Sequence, residues 1–127
     1  MIKLTITEQN RNQYIQNDVL FINEAETLTE LYCNNMNILS MDLSKCVNLR
    51  ILSCYGNNIS SIDLSNNRYL QKLHCLDNKI SSIDLSNCVN LKIFDCSDNN
   101  ISSINLLNCA NLLVLNCSKN NISLIDL

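Results

Sequence analysis

"LHCLDNKISSIDLSNCVNL", residues 73–91, carries a cysteine where an apolar strand would be expected to carry a leucine. Twenty-one residues earlier, at 52–70, the chain reads "LSCYGNNISSIDLSNNRYL", and twenty-one later, at 94–112, it reads "FDCSDNNISSINLLNCANL". Shifted by that interval the chain stays almost in register with itself. One column is Cys33, Cys54, Cys75, Cys96 and Cys117. Two residues before it run Leu31, Leu52, Leu73, Phe94 and Leu115, and three before those run Leu28, Leu49, Leu70, Leu91 and Leu112. Isoleucines follow at 38, 59, 80, 101 and 122, and Leu43, Leu64, Leu85, Leu106 and Leu127 close the unit. A second cysteine column, Cys46, Cys88 and Cys109, is interrupted by Asn67.

A fixed period of this length predicts a solenoid. One coil cannot bury its own apolar face, whereas stacked coils bury a continuous spine. The alternation Leu31, Cys33 and Leu52, Cys54 predicts a short half-buried strand in each coil. Aromatic residues make up only 5% of the chain, which suits a narrow spine. Proline is absent and glycine occurs once, so asparagine is expected at the turns, where it tolerates the left-handed backbone region.

The unit L-x-x-L-x-C-x-x-N-x-I-S-x-I-D-L-S-x-C-x-N resembles the leucine-rich repeat family, in a short bacterial-type form with 21 residues per repeat. Its column of cysteines is similar to the cysteine ladder of internalin J-like proteins. The resemblance covers roughly residues 18–127. It implies a right-handed β/α-type superhelix with short parallel strands on its concave face and little or no helix. It also implies an inward-facing ladder of Asn57, Asn78, Asn99 and Asn120, bonding the backbone of their own and neighbouring coils. The first repeat has Met36 at that position, as suits an end coil.

Residues 1–27 are expected to form an N-terminal cap ending in a half-repeat, with Leu20, Ile22 and Ala25 aligned to Met41, Leu43 and Cys46. "IKLTIT" alternates like an edge strand, and the polar stretch 8–17 reads as a short helix or a loop. Five repeats follow, at 28–48, 49–69, 70–90, 91–111 and, incomplete, 112–127.

Several functional classes are disfavoured. The net charge is −3, so the basic footprint of a nucleic-acid binder is missing, as is the polybasic attraction to a membrane surface. No apolar run approaches the roughly 20 residues of a membrane helix, and the first ten residues lack the apolar core of a secretory signal. Stacked strands hold equivalent side chains about 4.8 Å apart, whereas a disulfide prefers Cβ atoms about 3.8 Å apart. The eight cysteines are therefore expected to be reduced core thiols, with occasional oxidation as the alternative. No C-x2-C spacing occurs and His74 is the single histidine, so no metal site and no cofactor are expected. Free thiols without a signal point to a reducing compartment, the cytoplasm of the producing cell or of a host.

Residues flanking each buried Leu-x-Cys pair are expected on the concave face. The columns are Glu30, Ile51, Lys72, Ile93, Val114; Tyr32, Ser53, His74, Asp95, Asn116; and Asn34, Tyr55, Leu76, Ser97, Ser118. These positions vary while the framework repeats. Their apolar members suggest a protein-binding patch built from Tyr32, Ile51, Ser53, Tyr55, Lys72, His74, Leu76, Ile93, Asp95, Val114 and Asn116. The alternative is an ordinary β-prone solvent face. Ser53, His74 and Asp95 stand in triad order on consecutive coils, but an open sheet face offers neither oxyanion hole nor pocket, so the row reads as surface polarity with a His74–Asp95 contact. The column Asp42, Asp63, Asp84, Asn105, Asp126 lies outside, with Ser44, Ser65 and Ser86 placed to tighten each turn. The leading expectation is a non-catalytic module that binds an unidentified protein. The runner-up is a structural or self-assembling solenoid, a homo-oligomer joined through the C-terminal coil that ends in "LIDL".

Overall fold

The computed structural model describes residues 2–23 and 25–127; Met1 and Glu24, both inside the expected cap, lie outside the described residues. The chain winds as a β-solenoid. Its main sheet has six parallel strands in the order β1 (Ile2–Thr5), β4 (Leu28–Tyr32), β6 (Ile51–Ser53), β7 (Lys72–His74), β8 (Ile93–Asp95) and β10 (Val114–Asn116). The register steps by one repeat at each strand, for example Leu31↔Leu52, Leu52↔Leu73 and Leu73↔Phe94. The opposite side of the coils carries β5 (Ser40–Asp42), β9 (Ser103–Asn105) and β11 (Leu124–Asp126), of which β9 and β11 pair in parallel.

The spine is the one the period predicts. Leu31, Leu52, Leu73 and Phe94 are fully buried, as are Cys33, Cys54, Cys75 and Cys96 in the next column. Cys117, in the last coil, is only partly buried. From the second repeat on the main-sheet strands are three residues long, because each coil must turn as soon as its Leu-x-Cys pair is packed, while β4 in the first repeat has five.

Two kinds of residue make that turn. The first is a left-handed backbone position at Asn35, Gly56, Asp77, Asp98 and Lys119. The lone glycine is thus one member of a column, and aspartate shares with asparagine the role of replacing it. The second is the asparagine ladder. Asn78 Oδ1 accepts from the Ile59 amide of the preceding coil at 3.0 Å, while Nδ2 donates to Cys54 O at 3.0 Å and to Cys75 O at 3.1 Å. Asn57, Asn99 and Asn120 repeat the pattern. At the first coil Arg11 Nη2 donates to Met36 O at 2.7 Å, so the cap supplies a polar contact there.

Two further asparagine columns lie outside the core, and the repeat pattern alone does not reveal their bonds. Asn66, Asn87 and Asn108 each donate Nδ2 to the carbonyl of the serine 22 residues back, at Ser44, Ser65 and Ser86. Asn48, Asn90 and Asn111 do the same to Glu26, Arg68 and Val89.

Strand β1 is an edge strand, parallel to β4, as "IKLTIT" suggests. Only Ile6 of its apolar set is fully buried, and Ile2 is exposed at the edge. The polar stretch contains α1 (Arg11–Tyr14), a single turn. It leads into a hairpin of β2 (Ile15–Gln16) and β3 (Val19–Phe21), the one antiparallel pair among the described residues. Asn17 and Asp18 turn it with φ of 51° and 62°, the left-handed pair that a tight hairpin needs. Strand β3 then pairs with β5 with Leu20 opposite Met41.

Asn78→Ala should leave the buried Ile59 amide unpaired, while Cys54 O and Cys75 O each lose one of two donors and keep Asn57 and Asn99, at about 2–3 kcal/mol for the buried donor alone. Urea denaturation should show a loss of at least that size; a change under about 0.5 kcal/mol would mean the ladder is not holding the turns.

Candidate functional site: the concave sheet face

Each three-residue strand turns its middle residue inward and its two flanking residues outward. The outward residues therefore stack across the sheet in two straight rows. One is Glu30, Ile51, Lys72, Ile93, Val114, and the other is Tyr32, Ser53, His74, Asp95, Asn116. Strand β1 lengthens both rows by placing Lys3 opposite Glu30 and Thr5 opposite Tyr32. The alternation in "IKLTIT" carried that signal, but not the strand that β1 would join.

The apolar residues do not form one unbroken stripe. Ile51 and Ile93 are half-buried, with exposed Lys72 between them, while Val114 is 52% exposed. Lysine stems can cover apolar surface while the ammonium stays in water. In the third column Tyr55 is 39% exposed beside half-buried Leu76. At the N-terminal end, Lys3 Nζ lies 4.8 Å from the Tyr32 ring centroid, and the Tyr32 hydroxyl donates to Glu30 Oε1 at 2.8 Å. That hydrogen bond to Glu30, with some burial and the carboxylate's charge, pushes the phenol pKa up.

Two expectations need correction. Ser53 belongs to the outward column but is only 5% exposed. Its hydroxyl donates to Asn34 Oδ1 at 2.8 Å, and the same oxygen accepts from the Tyr55 amide at 3.0 Å. Asn34 and Ser53 thus close a polar pair over the strand end. The expected His74–Asp95 contact is also replaced. Asp95 Oδ1 accepts from the Ser97 amide at 3.0 Å and the Ser97 hydroxyl at 2.7 Å, and His74 makes no side-chain hydrogen bond or ion pair among the described residues. A short side chain two residues along the same chain reaches the carboxylate more easily than an imidazole on the next strand. Asn116 and Ser118 repeat that local motif.

The outer aspartates follow the same local chemistry. Asp42 Oδ1 accepts from the Ser44 amide and hydroxyl at 3.0 and 2.6 Å, and Asp63 binds Ser65 at the same distances. Hydrogen bonds from the serines hold the Asp42, Asp63 and Asp84 carboxyls below the usual range. Those bonds exist only in the folded chain. Their contribution is complete above the unfolded carboxylate value near 4 and is lost as pH falls through the lower folded value. The melting temperature should therefore drop below about pH 4. Ser65→Ala should move the Asp63 titration back toward the ordinary value in a carboxyl NMR titration, and an unmoved titration would deny the hydroxyl that role.

The thiols are insulated. Burial pushes Cys33, Cys88 and Cys96 up to about 12 and Cys46 up to about 11, and raises Cys54 and Cys75 as well. Thiolate, not thiol, is the reactive form. A disulfide exchange reagent at pH 8 should modify Cys117 first, and the remaining thiols only at the rate of unfolding. Fast labelling of several thiols in the folded protein would contradict the buried ladder.

No helix is long and apolar enough to cross a membrane, among the described residues. No protein-family model matches the sequence, and no curated protein does. Solved structures similar to it include the functional domain of InlJ from Listeria monocytogenes, described as including a cysteine ladder, with a TM-score of 0.79 and 29% identity. The match spans 94% of this chain but only 29% of that one. The chain is a leucine-rich-repeat-type solenoid with a buried cysteine ladder, similar in its fold and in that ladder to the internalin domain.

Proposed function

We propose that the chain is a non-catalytic protein-interaction module whose concave sheet face engages a partner protein. The observation that carries this reading is the contrast within each strand. The inward residue is held to leucine or phenylalanine, while its two outward neighbours change at every coil and include Ile51, Ile93 and Val114, with Tyr55 just beyond the strand end. A rigid sheet presenting aromatic and aliphatic anchors beside Lys72, His74 and Asp95 has the composition of a recognition surface. The triad order lends no support to hydrolysis, because the Ser53 hydroxyl is bonded to Asn34 and the Asp95 carboxylate to Ser97. Eight free thiols favour a reducing compartment.

A second reading rests on the last coil, where Leu113, Val114, Leu124 and Leu127 are exposed and no strand among the described residues pairs with the outer edge of β10. Such an edge is a template for another coil, supplied by further repeats or by a second copy. Light scattering under reducing conditions reads the second copy directly: a concentration-dependent mass above 14.4 kDa would put self-association first.

The primary test is site-directed photocrosslinking. A photoreactive residue at Lys72, exposed in the same row between Ile51 and Ile93, should capture a specific protein, and one at Ser60 or Ser81 should not. Tyr55→Glu with Ile93→Glu should abolish that capture with the fold intact by circular dichroism. Capture that persists in the folded double variant would reject the concave face.

A further inference from the structure

One turn departs from its own repeat. The turns read S-K-C-V-N-L at 44–49, S-N-C-V-N-L at 86–91 and L-N-C-A-N-L at 107–112, but S-N-N-R-Y-L at 65–70. Three consecutive framework positions are changed, to Asn67, Arg68 and Tyr69. Two of the changes work against the fold. Asn67 is fully buried in the second thiol column, and its Oδ1 has no hydrogen-bond partner. Its Nδ2 reaches Leu43 O and Cys46 O, which already accept the amides of Cys46 and Leu49. Tyr69 interrupts the outer column in which Asn48, Asn90 and Asn111 tie coil to coil, and its side chain stands 45% exposed. A local break with the framework that leaves a buried oxygen unpaired and removes an outer coil-to-coil bond is where function is expected.

What the departures build is a cationic hollow on the flank, ahead of the strands and separate from the concave face. Tyr69 and Arg68 sit between Val47 and Val89 of the neighbouring coils around a hollow of about 450 Å³. Tyr69 also lines an adjoining hollow of about 390 Å³ with Arg50. The Arg68 guanidinium lies 5.3 Å from the Tyr69 ring centroid, and neither Arg50 nor Arg68 forms an ion pair among the described residues. Glu26, which lines the second hollow, is the one acid among the described residues lining the two. The two linings thus carry two guanidinium groups against one carboxylate, on a chain whose net charge is −3.

We propose that this flank docks an acidic linear segment of a partner protein, its carboxylates on Arg50 and Arg68 and an apolar side chain against Tyr69 between Val47 and Val89. Guanidinium groups suit carboxylates by their paired donors, and a tyrosine ring adds a rigid amphipathic surface.

The test is an amide NMR titration of the whole chain with a synthetic peptide, a leucine flanked on each side by two acidic residues. Saturable, salt-sensitive shifts are expected at residues 47–50 and 66–69. They should weaken by at least about tenfold in affinity in the variant Asn67→Cys, Arg68→Val, Tyr69→Asn. That variant restores the repeat and should melt higher than the wild type, so its loss of binding is not a loss of fold. Tyr55→Glu with Ile93→Glu should leave the peptide titration unchanged, which separates this site from the concave face. No saturable shift at millimolar peptide, shifts on the concave strands instead, an equal response to a lysine-flanked peptide, or an unaltered titration of the triple variant would each overturn the proposal.

Discussion

The carboxamide of each ladder asparagine is the constraint from which the rest of the solenoid follows. A strand of three residues ends abruptly, and the backbone that leaves it is buried against the next coil. Without a polar side chain at that place, donors such as the Ile59 and Ile80 amides would be buried unpaired. One asparagine accepts from the coil before it and donates to carbonyls of both coils, as Asn99 does with Ile80, Cys75 and Cys96. It thereby sets turn geometry and coil register together. Short strands and a fixed period go with that arrangement.

Cysteine fits beside this ladder because the carbonyls of Cys54, Cys75 and Cys96 are the acceptors that the asparagines use. The side chain at that position is packed in a dry spine, so it has to be apolar. A thiol meets that demand. It also has little tendency to ionise there, since burial raises its pKa. The thiol columns pack the core, and their regular recurrence follows the regular neighbour.

Against so repetitive a frame, variation becomes informative. It is concentrated in two places. On the concave sheet the framework is silent about the outward residues, so their identities cost the fold little. At Asn67–Tyr69 the frame is broken with an unsatisfied buried oxygen and a missing coil-to-coil bond. The first kind of variation is permitted by the structure; the second is opposed by it, which makes it the more pointed observation.

The sequence by itself determined the period, the columns and therefore the fold. Cys33 to Cys117, Leu28 to Leu112 and Asn57 to Asn120 could be placed in one core because identical residues at a constant interval can stack in only one register. It also placed the outward rows of the concave face, and the aspartate–serine turns, which are local to a few residues. What the tertiary structure decided lies between coils at the variable positions. The burial of Ser53 under Asn34, the commitment of Asp95 to Ser97 and the alignment of Lys3 with Glu30 depend on which unlike side chains meet across a strand spacing. The β2–β3 hairpin and the hollow around Tyr69 belong to the same class. Periodicity says where equivalent residues go; it is silent about contacts between residues that are not equivalent, and those contacts shape the candidate sites.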